Sequence, residues 1–419
     1  MTSPPLARIQ SAPGKVTSKQ RINPINYARI PLGGPPSVER QFVKTMALAI
    51  GGDTAIIPLG RGRAGLHLLA RYALEASGRR KVLMSPYTIP DVVNMVVLAG
   101  GEPVFFDHEP NSTRCDLDHL ASLLDTQTAC VFITHYHVNE DRMQTLAELC
   151  RARGAYLFDD CALAYGGRVG DTPVGALSDA SVFSFSSFKL INFFWGGMVT
   201  SRNAKIADWL RNIVGKWPRL KLKDYANQAK ICISYDVATR PAIFRLVVFP
   251  MLLRQAAATS DAHTLDHVRI ESMTFDSSLA SRPHASAFVE WSSKLGSVGQ
   301  WLERRREIAR IYHAQLAEHA VSGPLTDADF DQGCFVNYPV MTHSQSRDRV
   351  CLQMMRDGFD LGRSLYPNVQ RLEAFSSFGG KSENVDLLAA SALYLPTHYG
   401  VSNAYAEEIA SALATQLAR

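Results

Sequence analysis

The chain has 419 residues, 46% of them hydrophobic and 20% charged, with a formal net charge of +5. That composition gives a globular chain a sizeable core, either as one long α/β unit or as roughly two to three domains. The positive surplus is mild and its clusters at 78–80, 216–223 and 303–307 read as solvated helix faces or loops, so nucleic-acid binding finds no support.

Residues 1–40 are rich in Pro, Ser and Gly and read as a loose arm, without the apolar run of a secretory signal. From about residue 41 helices and strands alternate. "FVKTMALAIGG", beginning at Phe42, is helical, and "TAIIPLG" is a short strand ending at Gly60. "RAGLHLLARYALEASG" is a helix with Leu66, Leu69, Tyr72 and Ala73 on its apolar side and a glycine stop at Gly78. Then follow strand "KVLMSPY", helix "IPDVVNMVVLAG", strand "EPVFFDHE", helix "LDHLASLL", strand "ACVFITHY", helix "DRMQTLAELCRARG" and strand "AYLFDD". "ASVFSFSS" and "GGMVTS" are two more strands. Apolar strands alternating with helices predict an α/β fold with a mostly parallel central sheet covered on both faces.

Past Ser201 the pattern changes. "KIADWLRNIVG" is a helix, and residues 216–280 form an atypical insertion. Its centre, "PAIFRLVVFPMLLRQA", is apolar but interrupted by Pro250 and two arginines. It reads as a buried or lid-forming helix pair, or else as a membrane-surface or partner-binding segment. A long helix at about 286–320, with a possible break at Gly296 or Gly299, leads into a small α+β domain. The expected units are an arm at 1–40, a large domain at 41–280 and a C-terminal part at 281–419. Seven cysteines without a CxxC pair point to reduced thiols in a cytosol rather than to zinc or disulfides. No window approaches the ~18 consecutive apolar residues of a membrane-spanning helix.

The chemistry concentrates at strand ends. Lys189 is the lone cation in "SFSSFKLINFFWGGMVTS". Desolvation there lowers a lysine pKa and frees the amine for Schiff-base chemistry, although its stem could equally cross a core edge with the head in water. In "LFDDCALAYGG" a strand ends in Asp159 and Asp160. Side chains alternate along a strand, so one of the two faces a site, and Asp160, which begins the turn, is the candidate. A turn or N-cap carboxylate is the bland alternative. "PLGRGRAGLHLL" runs from strand through a glycine turn into a helix, whose first amides suit a phosphate, with Arg61 or Arg63 adding charge. Ser184 offers a hydroxyl toward the same phosphate. Together these residues fit a pyridoxal phosphate (PLP) site of fold type I.

From about 55 to 215 the chain resembles the DegT/DnrJ/EryC1/StrS family of PLP-dependent sugar aminotransferases. The likeness rests on "GRGRAGLHLLARYAL", "VLMSPYTIPDVVNMVVLAGGEPVFFDHEPNSTRCDLDHLASLL", "FDDCALAYGG" and "VFSFSSFKLINFFWGGMVTS", and resumes at "WLERRREIARIYHAQL" and "SALYLPTHYGVSNAYAEEIASAL". It implies a PLP-dependent transferase of fold type I with a smaller C-terminal domain. By the resemblance, Lys189 matches the lysine that bonds the cofactor aldehyde and Asp160 the carboxylate on the ring nitrogen. Ser184 matches the phosphate serine, and the turn of Gly62, Arg63 and Ala64 the backbone cradle. Arg282 falls where members carry an arginine reaching the partner subunit's site, with Ala280 in place of the usual asparagine. Ile89 stands where an aromatic commonly stacks on the ring, so Tyr87 or Thr88 is the expected contact; Leu163 and Arg63 are further departures. His137 and Asn192 are candidate substrate contacts, as are His135 and His284, and for each of the three histidines a purely structural role is the alternative. The resemblance further implies a glutamate or glutamine donor, a keto or aldehyde acceptor such as a nucleotide-linked keto-sugar, a homodimer with shared sites and a cytoplasmic location, with no metal. A lyase, dehydratase or condensing enzyme, or a non-catalytic binding module, are the rival readings. Members that remove a sugar hydroxyl carry histidine at the lysine position, and Lys189 argues against that subtype.

Overall fold

The computed structural model describes residues 35–186, 189–191, 195–258, 275, 278–323, 325–343, 346–362 and 366–418. Residues 36–40, expected in the arm, instead form the first turn of helix α1 (Pro36–Ala49). Pro36 sits in the first turn, where its fixed φ suits a helix and its missing N–H costs nothing. One stripe of α1 buries Phe42 and Met46, and the Phe42 ring lies 5.3 Å from Trp291 and 5.6 Å from Phe288. Aromatic burial of this kind extends a helix beyond its sequence signal.

The central sheet has seven strands in the order β1–β9–β8–β5–β4–β2–β3. They are β1 (Ala55–Leu59), β2 (Lys81–Met84), β3 (Glu102–Phe105), β4 (Thr128–Thr134), β5 (Tyr156–Asp160), β8 (Ala180–Ser184) and β9 (Gly197–Ser201). A small hairpin, β6 (Arg168–Val169) and β7 (Thr172–Pro173), lies outside it. Only β9 runs against its neighbours. Consequently β1, β2, β4, β5 and β8 all end on one edge, where β9 begins.

Helices α2 (Gly62–Ser77), α3 (Pro90–Leu98), α4 (Leu117–Leu123), α5 (Met143–Arg153) and α6 (Ala204–Val214) connect and cover the strands. Alternation along each strand feeds two cores. Phe132, Phe158 and Val182 pack with Leu66 and Leu69 of α2, while Val131, Ile133 and Leu157 pack with Met143 and Leu146 of α5. Gly78 ends α2 at φ +70°, as its position in the sequence leads one to expect.

The insertion holds α7 (Leu222–Ala238), a π-helical turn at Phe244–Val248 and α8 (Phe249–Ala258). Pro250 lacks an N–H for the residue-246 carbonyl and its ring crowds that group, so the wider turn falls just before it. The inner side of this pair buries Phe244 and Phe249 with Met355. Its outer side exposes Leu246, Val247 and Met251, which departs from the expectation of a buried pair.

The expected long helix is two, α9 (Ala285–Leu295) and α10 (Val298–Leu316), parted at Gly296–Ser297. Beyond them come α11 (Asp327–Gln332), β10 (Asn337–Met341), α12 (Arg347–Arg356), α13 (Glu383–Ser391), β11 (Ala392–Pro396) and α14 (Asn403–Leu417). β10 pairs antiparallel with β11, and Ile308, Tyr312, Tyr338, Leu393 and Ile409 form the core of this smaller α+β part.

Candidate active site

The strand-end edge draws together segments far apart in sequence. β1 ends at Leu59, the Gly60 N–H donates to the Ser281 carbonyl at 2.8 Å, and α2 begins at Gly62. Arg61 precedes the helix in an extended conformation, and no described side chain caps it. The Ala64 amide closes the first turn onto the Arg61 carbonyl at 3.2 Å. The uncapped start therefore presents the Gly62 and Arg63 amides at the positive end of the helix dipole.

Two glycines let this helix start press onto the sheet edge. A Cβ on Gly197 would stand 2.5 Å from both Gly62 Cα and the Phe183 carbonyl oxygen. One on Gly62 would stand 3.2 Å from the Ser184 Cα and Cβ. Ser184, at the end of β8, is thus beside the first turn of α2, and its Oγ lies 3.4 Å from Ser186 Oγ.

β5 sends its two terminal carboxylates to opposite faces. Asp159 Oδ2 accepts from Ser178 Oγ at 3.0 Å and lies 3.6 Å from His135 Nε2. Its other neighbour is Cys161; the ligand atoms of the three residues lie within 4.8 Å of one another, all buried. Asp160 turns the other way, toward Lys189. Its Oδ1 accepts the Ala162 N–H at 3.0 Å. Burial pushes the Asp160 carboxyl above its ordinary value, opposed by that N–H and by the Lys189 charge. Desolvation in turn pulls Lys189 down to about 8, with Asp160 the opposing influence. The amine is thus half free at about pH 8, where an exposed lysine would be almost fully protonated.

Four tyrosines wall this region. Tyr136 and Tyr366 both feel the Asp160 charge, and burial pushes both phenols up. Tyr136 Oη donates to the Tyr87 carbonyl at 2.5 Å, and the Tyr87 and Tyr394 hydroxyls are hydrogen bonded. The Tyr87 ring lies 5.4 Å from Tyr366 and 5.7 Å from Tyr136. Tyr87 is therefore held in a cluster that joins the large and small parts of the chain, with Leu163 packed against it. Thr88 is buried beside it, its N–H on the Pro86 carbonyl at 3.0 Å. Tyr136 and Tyr366 were not among the sequence candidates. Tyr136 sits just past the end of β4 on the shared edge, a position that could have flagged it; Tyr366 carries no comparable signal.

Other candidates lie elsewhere. The Arg63 side chain pairs with Asp91 in the first turn of α3, so only its backbone is offered to the helix start. Arg61 lies over the Trp195 ring at 3.2 Å. His137 is buried with Nε2 3.3 Å from the Val321 carbonyl, and its own carbonyl accepts the Cys334 and Phe335 amides. His135 Nδ1 accepts the Glu140 N–H at 3.2 Å, and His284 Nδ1 accepts the Ser286 N–H at the start of α9. These are structural bonds within the chain. The Arg282 Nε donates to the Trp217 carbonyl at 2.9 Å, next to the Ser281 carbonyl that Gly60 uses. Asn192 lies outside the described residues.

These groups fit PLP. The close glycine contact leaves amides and Ser184 at one end, and the buried Asp160 needs a cationic partner that a protonated ring nitrogen supplies once the lysine nitrogen is engaged.

Comparison with known proteins adds a family. The fold matches the crystal structure of DesI in the presence of its TDP-sugar product at a TM-score of 0.72 and 20% identity, over 99% of this chain and 95% of that one. It matches Helicobacter pylori PseC, an aminotransferase involved in the biosynthesis of pseudoaminic acid, at a TM-score of 0.74 and 15% identity over 97% and 99%. GDP-perosamine synthase of Vibrio cholerae is 30% identical over 197 residues, 45% of this chain and 53% of that protein. The chain thus spans about half the length of the curated relatives it matches. The DegT/DnrJ/EryC1/StrS aminotransferase family, whose enzymes are PLP-dependent, matches over residues 36–223 and 287–414. That is about three quarters of the sequence, and the chain belongs to this family.

Proposed function

We propose that the protein is a PLP-dependent aminotransferase that moves an amino group from an amino acid to a keto or aldehyde carbon. The observation that carries this reading is the partly buried Lys189 beside the buried Asp160, at an edge shared with the α2 helix start. The Gly62 and Arg63 amides, in the turn that Ala64 closes, and the Ser184 hydroxyl would hold the phosphate, and Asp160 would hold the ring-nitrogen proton. When bound, the cofactor supplies an electron sink conjugated to the reacting carbon. Lys189 Nζ would take the proton from the substrate α-carbon and deliver it to the cofactor C4′, a task suited to an amine with a pKa of about 8. The Tyr87, Tyr136 and Tyr366 wall keeps water from the reacting carbon.

Glutamate or glutamine is the donor, and a nucleotide-linked keto-sugar the acceptor. Relatives and structural neighbours named for GDP- and TDP-sugars support that class. The working unit is a homodimer in which Arg282 reaches the partner's site. The test incubates cofactor-loaded protein with glutamate or glutamine, then with nucleotide keto-sugars. Accumulation of the matching oxo acid and of aminated sugar supports the proposal; a bound cofactor that never exchanges its aldehyde for an amine sinks it.

A further inference from the structure

The family match stops at residue 223 and resumes at 287, so α7, the π turn and α8 belong to the stretch it passes over. This stretch breaks two habits of the rest of the molecule. Of eleven exposed large apolar side chains among the described residues, eight lie between 222 and 251. Residues 216–258 carry eight basic residues against two acidic ones, a surplus of six in a chain whose whole surplus is five. The rest of the protein is therefore close to neutral.

The second half of the insertion is amphipathic in an uncommon way. Its inner side docks Phe244 and Phe249 on Met355 of α12, with Val248, Leu252 and Leu253 packed alongside. Its outer side carries Ile243, Leu246, Val247 and Met251, all exposed, as an apolar stripe that spans the π turn. Leu246, Val247 and Met251 are 64%, 62% and 59% exposed. Arg240, Arg245 and Arg254 flank the stripe, exposed and in no ion pair among the described residues; Lys223 and Lys230 on α7 are alike.

We propose that this stripe and its flanking arginines dock the protein on an anionic phospholipid surface. An apolar ridge between unpaired cations suits the headgroup boundary: the aliphatic groups enter the acyl edge while the guanidinium groups stay with lipid phosphates. Charge argues for lipid over a second copy of the chain. Two copies meeting at this face would oppose like charges, whereas an anionic leaflet attracts each of them. The attachment is peripheral, because no helix of the described residues is long and apolar enough to cross a membrane.

The test sediments the full chain with vesicles of phosphatidylcholine alone and of phosphatidylcholine mixed with phosphatidylglycerol. Binding is expected to be at least about ten-fold stronger to the mixed vesicles and to fall with added salt. Two surface variants, Leu246→Glu with Val247→Glu and Arg245→Glu with Arg254→Glu, are each expected to remove that preference while melting temperature and aminotransfer stay as in the parent. Equal binding to both vesicles, or none, by the unaltered protein overturns the proposal without recourse to any variant. So does a Leu246→Glu, Val247→Glu protein that changes from dimer to monomer and still binds vesicles, since the stripe would then face another copy.

Discussion

The edge around Lys189 and the outer side of the insertion handle awkward side chains in opposite ways. At the edge the Asp160 carboxylate is buried and the Lys189 amine partly desolvated, next to a helix start that two glycines let press onto β8 and β9. On the insertion, aliphatic side chains are left in water between arginines. The first arrangement is costly unless something binds that uses both charges. The second is costly unless something covers it. The contrast separates an edge that lies within the family match from an insertion most of which lies outside it.

The largest expected effect breaks the first side of the contrast. Lys189→Ala should lower the turnover of both half-reactions by about a thousandfold or more, as loss of a positioned proton carrier and nucleophile requires. Single-turnover measurements with the donor alone check this. An unchanged rate would remove Lys189 from the chemistry.

Gly197→Ala tests the backbone contact itself. Its new Cβ would meet Gly62 Cα and the Phe183 carbonyl at 2.5 Å, and neither is a flexible side-chain tip. A loss of about 1–3 kcal/mol in stability is expected. A weaker hold on PLP should accompany it, because α2 must back away from the phosphate position. Thermal melting and cofactor titration read the two effects.

Asp160→Asn sharpens the electrostatic side. The carboxylate now raises the Lys189 pKa against desolvation, so its removal should move the pH midpoint of amine labelling in cofactor-free protein below about 8. The stability effect has a definite sign in the unaltered protein. Lys189 titrates near 8 when folded and near 10.5 when unfolded, so between these values the unfolded chain binds the extra proton. From this group alone, stability rises with pH across that window and is lowest below it.

The smallest effect on activity is expected on the insertion. Phe249→Ala removes an anchor between α8 and Met355. Amide exchange should quicken across residues 244–258 and stay unchanged in α2, with aminotransfer within about twofold of the parent, as for a locally unfolding unit.

Much of the edge was legible in the sequence because its parts are local. A lysine in an apolar segment, a carboxylate pair closing a strand and a glycine turn before a helix each leave a short signature, and parallel topology brings such strand ends together. The same reasoning chose Asp160 over Asp159, and alternation along β5 does put them on opposite faces. The tyrosine wall was not legible. Tyr87, Tyr136, Tyr366 and Tyr394 meet only when the small α+β part closes on the sheet, and no spacing announces that. The surroundings of His137 were equally hidden: the Val321 carbonyl that lies 3.3 Å from its Nε2 comes from far along the chain. The start of α1 at Pro36 was hidden because its support comes from Phe288 and Trp291, far along the chain.

The π turn at Phe244–Val248 carries a consequence for how the insertion could change. Five residues separate Phe244 from Phe249, a spacing that a regular α-helix would spread by well over a hundred degrees. The extra residue in the turn brings both rings onto α12 and leaves Leu246 and Val247 pointing away. Removing one residue there would restore a regular helix in which Phe244 and Phe249 stand four residues apart and still share a face. Phe249 would keep its seat on Met355, and a deletion at Leu246 or Val247 would take one exposed aliphatic group from the outer side. A single-codon deletion could thus thin the insertion's outer face while leaving its anchor on α12 intact.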